Sequence, residues 1–186
     1  FMVAVINNFG GFYSRELYFH ELKKTGAVIH LPCVNSSNYY TSIKGCEVTM
    51  GFVHMKEIQL ELANNIIEQR IKNGMFLHLQ EFIERINPGI EQLNILIRCG
   101  AYRFTGKRKK ELLWEANFLQ KKSSKHSTES LLFHEQPISF KLPALHNNPL
   151  VDVIDKWEIL GFPVGNVFEV ADVDLAKYLP AAEIDK

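Results

Sequence analysis

The residues that could do chemistry are seven histidines, three cysteines, a late D-x-D and a dense run of cations. Cys33, Cys46 and Cys99 are odd in number, widely spaced and without a C-x-x-C pair. That pattern suits thiols in a reducing cytosol rather than a disulfide framework, so a cytoplasmic location is expected. The histidines have no metal-ligand spacing, and no metal site is expected. Nucleotidyl or phosphoryl transfer needs clustered carboxylates to hold metal ions. The chain has no Asp before Asp152, and Asp172-Val-Asp174 lies in an acidic stretch without basic companions for a triphosphate. A P-loop, a nucleophile beside a base, and a glycine-rich dinucleotide turn are all missing, "FGGFY" having too few glycines. No catalytic residue and no resident cofactor are therefore expected.

The remaining chemistry is non-covalent. Lys plus Arg and Asp plus Glu number 21 each, but the balance hides two segments of opposite sign. From Arg103 to Lys125 eight cations meet two acids, and from Pro149 to Lys186 eight acids meet three lysines. "RFTGKRKK" offers Arg103, Lys107, Arg108, Lys109 and Lys110 to a polyanion. Each phosphate neutralised would release counterions and make affinity fall with salt. The competing reading is a solvated surface.

"MKEIQLELANNIIEQR", residues 55 to 70, has the build of a hairpin feeding a helix. Such a turn holds DNA without reading sequence: backbone N–H groups, aided by the positive end of the following helix, take a phosphate oxygen. Lys56 and Gln59 are the candidates here. Arg70, Lys72 and Gly74 after the next helix, and Asn87 to Gly89 in a second turn, are further candidates, with solvation again the alternative.

These groups need elements to position them, and 46% hydrophobic content over 186 residues is enough for a core. "FMVAVI" reads as the end of a buried helix broken at Asn7 to Gly11. A helix capped by Ser14 stops at Gly26; "AVIHL" is a strand, and two strand-like runs flank Lys44-Gly45 as a hairpin. From residue 58 the period is helical: Leu62, Ala63, Ile66, Ile67 and Ile71, then Leu79, Phe82, Ile83 and Ile86, then Ile90, Leu93, Leu96 and Ile97, then Leu112, Leu113, Ala116 and Leu119. "QKKSSKHSTES" reads as a mobile linker. A last helix has Asn148 as cap, Pro149 at its first position, and Leu150, Ile154, Trp157 and Leu160 on one face, with Gly161 as its stop. No apolar run reaches the ~18 residues of a membrane span. The start inside an apolar run, without an initiator Met, reads as a piece of something longer.

The order "INNFGGFYSRELYFHELKKTG", "VIHLPCVNSSNYY", "GFVHMKEIQLELANNIIEQR", "NGMFLHLQEFIERI", "LNILIRCGAYRFTG", "LLWEANFL" and "LGFPVGNVFEV" resembles the distal fingers and tandem helix-hairpin-helix module of the bacterial replicative DNA polymerase III alpha subunit. The resemblance covers most of residues 1 to 119 and resumes near 150 to 170. It implies a mainly α fold with an α+β N-terminus: fingers over 1–54, tandem helix-hairpin-helix over 55–119, linker over 120–147, and a helix with an acidic lead-in over 148–186. It implies a polymerase parent whose magnesium-binding aspartates lie in a palm domain, and it places Asn7, Tyr13, Asn35 and Ser36 near nucleic acid. In "TESLLF", Leu131, Leu132 and Phe133 match the apolar anchor of the family's sliding-clamp motif, while Glu129 replaces its usual Gln. The family hairpin runs apolar-Lys-Gly-apolar-Gly-Glu; here Glu57 and Gln59 replace both glycines, and Glu57 adds negative charge beside the phosphate position.

Three functions follow as expectations. The first is a segment that holds duplex DNA by sequence-independent contacts, faces the clamp and joins other polymerase domains without touching a membrane. The second is a protein-interaction scaffold whose hairpins have lost phosphate. The third is a nuclease or repair-type enzyme, which the missing carboxylates disfavour.

Overall fold

The computed structural model describes residues 1–123 and 149–164, with no side-chain description for 121–123 and 149. Among them the fold is mainly α with a small sheet near the N-terminus. The order is α1 (Met2–Asn7), α2 (Arg15–Lys24), β1 (Val28–His30), β2 (Ser42–Lys44), β3 (Glu47–Thr49), α3 (Leu60–Asn73), α4 (Leu79–Ile86), α5 (Ile90–Arg98), α6 (Lys109–Ser123) and α7 (Pro149–Leu160). Short 3-10 turns at Phe52–His54 and Arg103–Thr105 complete it. No helix of the described residues is long and apolar enough to cross a membrane.

The N-terminal part follows its local signals. The Ser14 hydroxyl accepts the Leu17 N–H, capping α2, and Gly26 beyond it sits at φ +88. The central strand β3 pairs parallel to β1 and antiparallel to β2, with Ile29 and Ile43 both in register with Val48, which is fully buried. Asn7 and Asn35 act as local staples. Asn7 exchanges two 2.8 Å bonds with the backbone of Thr41, and Asn35 does the same with Phe76, as a strand neighbour would.

One core runs through the chain, from Ile6 and Phe19 through Phe52, Ile66, Phe76, Phe82 and Leu96 to Leu160 and Phe162. Phe76, Phe82 and Tyr102 form an edge-to-face aromatic series at its centre. α4 is capped by His78, whose Nδ1 accepts the Glu81 N–H, while Glu81 accepts the Leu77 N–H in return. Its other end closes on Asn87 in the left-handed region, whose N–H reaches the Ile83 carbonyl at 2.8 Å.

Four expectations are corrected here. α1 buries Ile6 alone, leaving Phe1 almost fully exposed. Ile71 is 78% exposed, because Phe76 after the turn takes the position under α4 and is covered by the Arg85 guanidinium at 4.1 Å. α6 continues to Ser123, so the first residues of the expected linker are helical. α7 is rotated from the expected face: Leu160 is buried as expected, but it is joined inward by Asp155 and Ile159, while Leu150, Ile154 and Trp157 are exposed. An ion cluster at Asp155 shares that inward face with Ile159 and Leu160, and it bears directly on the basic segment.

Candidate nucleic-acid interface

The first bend, Met55 to Gln59, links the 3-10 turn at Phe52–His54 to α3. Glu57 occupies φ +62, the left-handed region that suits glycine, whereas Gln59 has an ordinary φ of −74. The amides of the bend do not converge on an outside point. Gln59 N–H donates to Gln92 Oε1 at 2.9 Å, and Gln92 Nε2 donates to the Glu57 carbonyl at 2.8 Å. Lys56 N–H donates to the Ile159 carbonyl at 2.8 Å, at the C-terminal end of α7. The exposed Lys56 side chain lies over the turn at Gly161, where an added Cβ would meet its Cε at 3.3 Å.

The second bend differs in its side-chain partners rather than in its helix start, because α3 likewise makes its first bond from Ala63 N–H to the Gln59 carbonyl at 3.1 Å and leaves the amides of Leu60, Glu61 and Leu62 outward. Asn87 and Gly89 are exposed, and Gly89 precedes α5. The first bond back along α5 runs from Leu93 N–H to the Gly89 carbonyl at 3.0 Å, so the amides of Ile90, Glu91 and Gln92 point out of the helix end. Gly89 has an ordinary φ of −62, and a Cβ there would meet nothing within 4 Å. Neither backbone strain nor internal packing demands glycine at this position.

Several of the expected cations are engaged within the fold. Arg70 donates from one Nη to the Val34 and Ser37 carbonyls, both at 2.9 Å, and burial lowers its pKa below the ordinary guanidinium value. Arg103 donates to the Leu31 and Pro32 carbonyls, both at 2.7 Å. These two arginines fasten the α+β part to the helices instead of presenting a fork outward. The Gly74 carbonyl accepts from Arg85 at 3.1 Å. Lys107 pairs with Glu115 at 2.6 Å, and Lys109 lies between Asp152 and Asp155 at 2.8 and 2.9 Å. Lys72, Arg108 and Lys110 are exposed.

The basic run also lies away from the second bend. Gln120, near the far end of α6, donates to the Pro88 carbonyl at 2.6 Å. Lys109 is eleven residues earlier on that helix, which at 1.5 Å per residue is about 17 Å along the axis. The basic run neighbours α7, so the two oppositely charged segments of the sequence are partners in the fold.

Sequence reasoning missed Gln92, the Ile159 carbonyl, and the Arg98–Asp155–Lys109 cluster. The opposite charge of the two segments signalled the last; nothing in the sequence pattern signalled the first two. The clamp candidates Glu129, Leu131, Leu132 and Phe133 lie outside the described residues. Tyr13 is exposed, whereas the Asn7 and Asn35 side chains are held by backbone groups.

Residues 26–112 match the family described as helix-hairpin-helix motif. The chain is 31% identical over 108 residues to an error-prone DNA polymerase of Mycobacterium bovis, covering 57% of this chain and 10% of that protein. It is 30% identical over 119 residues to a DNA polymerase III subunit alpha of Aquifex aeolicus, covering 61% and 10%. The Treponema pallidum DNA polymerase III subunit alpha is 28% identical over 107 residues, covering 55% and 9%. The chain thus spans about a tenth of the length of these curated relatives. The comparisons bear out the resemblance to DNA polymerase III alpha subunits over somewhat more than half of the chain.

Proposed function

We propose that this helix-hairpin-helix chain is a non-catalytic segment of a DNA polymerase of the polymerase III alpha type, and that it holds duplex DNA by sequence-independent phosphate contacts during replication. The parent would be a DNA-directed DNA polymerase, as the names of the relatives suggest. Its magnesium-binding aspartates would lie in a palm domain, as the resemblance implies. No catalytic step is assigned to these residues.

The observation that carries this reading is the second bend, where the N-terminal end of α5, with Glu91 in its first turn and Gln120 bonded to the Pro88 carbonyl beside it, follows an exposed Gly89 that neither strain nor packing requires. Amides at a helix start, helped by the helix dipole, suit a phosphate oxygen and carry no base information. Lys72, Arg108 and Lys110, all exposed, supply positive surface. The test is a titration of unrelated duplexes at rising salt. The reading predicts sequence-indifferent binding that weakens steeply with salt; absent or salt-indifferent binding would contradict it.

The scaffold reading draws on one specific observation, the internal occupation of the first bend by Gln92 and Ile159. It accounts for that bend and leaves the bare second bend without a role. As a finer part of the proposal, the 128–133 segment would dock Leu131, Leu132 and Phe133 on a sliding clamp. A peptide spanning Ser127 to His134 should bind purified clamp and lose that binding with Phe133→Ala; a wild-type peptide that does not bind ends this part of the proposal.

A further inference from the structure

We propose that Gln92 is a built-in ligand of the first bend: its carboxamide sits where a phosphate oxygen would sit, closing that bend to DNA and leaving phosphate contact to the second bend. This rests on the duplex-holding reading above and adds a restriction to it.

Four observations converge. Gln92 makes a two-point pairing, accepting from Gln59 N–H at 2.9 Å and donating to the Glu57 carbonyl at 2.8 Å. A phosphate diester offers acceptors alone, so it could satisfy the Gln59 amide and would leave the Glu57 carbonyl without its donor. Lys56 N–H is spent on the Ile159 carbonyl, at the end of α7 where the helix dipole is negative. That end has the sign of a phosphate and would repel one. The exposed Glu57 carboxylate adds like charge at the same turn. Finally, Glu57 holds φ +62 with a side chain, a geometry that costs strain yet is tolerated when no anion must approach the backbone closely.

Gln92 sits in the first turn of α5, immediately after the second bend. The same turn therefore closes one bend with its side chain and presents its backbone at the other. The two bends become mechanically joined, with DNA entering on one side.

The test uses the whole chain, 15N-labelled, as wild type, Gln92→Ala and Gln92→Met. Alanine keeps helix propensity and methionine keeps side-chain length, so both should fold. Amide exchange at Gln59 should accelerate about tenfold in both variants, as expected for loss of one hydrogen bond, while Lys56 stays protected. A short duplex at low salt should shift the wild-type amides of Gly89 to Gln92 and leave Lys56 to Leu60 unmoved. In Gln92→Ala combined with Glu57→Gly, which also removes the like charge at the turn, the Gln59 and Leu60 amides should join the shifted set. Unchanged Gln59 exchange in both variants would overturn the proposal, as would duplex shifts at Glu57 to Leu60 in the wild type. If no duplex shifts any amide, the duplex-holding reading has failed, and the exchange result alone decides whether Gln92 occupies the bend.

Discussion

Lys109 on α6 and Asp155 on α7 are joined at 2.9 Å with only 11% and 12% of their side chains exposed, and Asp155 also pairs with Arg98 of α5 at 2.8 Å. This cluster lies on the inward face of α7 together with the buried Ile159 and Leu160. A carboxylate shared by two cations is tolerated at low exposure because its charge is matched and its oxygens are bonded. Removing it leaves Lys109 without one of its two acidic partners. Asp155→Ala should therefore lower unfolding stability by about 3 kcal/mol, measured by chemical denaturation. A loss below about 1 kcal/mol would mean that apolar packing alone docks the helix.

Gly51 approaches the chain at Tyr39 to Thr41 so closely that a Cβ would lie 2.3 Å from the Tyr39 carbonyl oxygen and 2.6 Å from Thr41 N. These backbone atoms are held, Thr41 N–H by Asn7 and the Tyr39 carbonyl by Val53 N–H at 2.9 Å, and cannot swing aside. Gly51→Ala should cost about 3 kcal/mol, seen as a lower thermal midpoint. Gly89→Ala, in open space, should change stability by less than about 0.5 kcal/mol.

His54 gives the fold a pH dependence. Burial, and then the nearby charge of Arg15, hold its pKa down at about 4 against an ordinary 6.5. The Thr41 hydroxyl accepts from Gly51 N–H and lies 2.7 Å from His54 Nε2, an arrangement that suits a neutral ring accepting the hydroxyl proton. Between pH 6.5 and 4 the unfolded chain binds a proton that the folded chain refuses. Stability from this group is thus complete above pH 6.5 and falls as pH drops toward 4, by about 3 kcal/mol in all. Denaturation midpoints across this range should show that slope, and His54→Gln should flatten it.

Glu57 tests whether the first bend needs its backbone shape more than its side chain. At φ +62, Glu57→Gly relieves strain of about 1 kcal/mol against a comparable entropy cost in the unfolded chain, so the net change should be near zero or slightly stabilising. Glu57→Ile should destabilise by about 2 kcal/mol, because a β-branched residue tolerates this region poorly. Equal effects of the two would show that the bend relaxes out of the left-handed region.

Much of the fold was legible because helix signals are local. Ser14, Gly26, Asn87 and Gly100 mark helix ends, and the apolar spacing of α3 to α6 follows the core they build. The face of α7 was not legible. Apolar periodicity weighs Leu150, Ile154 and Trp157 and is blind to an ion cluster at Asp155 on the inward face. The candidate interface divided for the same reason. A cation in a sequence looks available, yet Arg70 and Arg103 are consumed by carbonyls of Val34, Ser37, Leu31 and Pro32, partners distant along the chain. The bare second bend was visible as Asn-Pro-Gly; the closing of the first by Gln92 needed the fold.

The most direct test of the account is the duplex affinity of Gly89→Glu beside that of Lys56→Ala. The glutamate enters open space at an ordinary φ, and its charge favours the helix start, so folding is spared. Contact through the second bend predicts that Gly89→Glu weakens binding about tenfold or more on every duplex sequence, while Lys56→Ala changes it less than about twofold. Unchanged affinity for Gly89→Glu together with a large loss for Lys56→Ala would contradict the account.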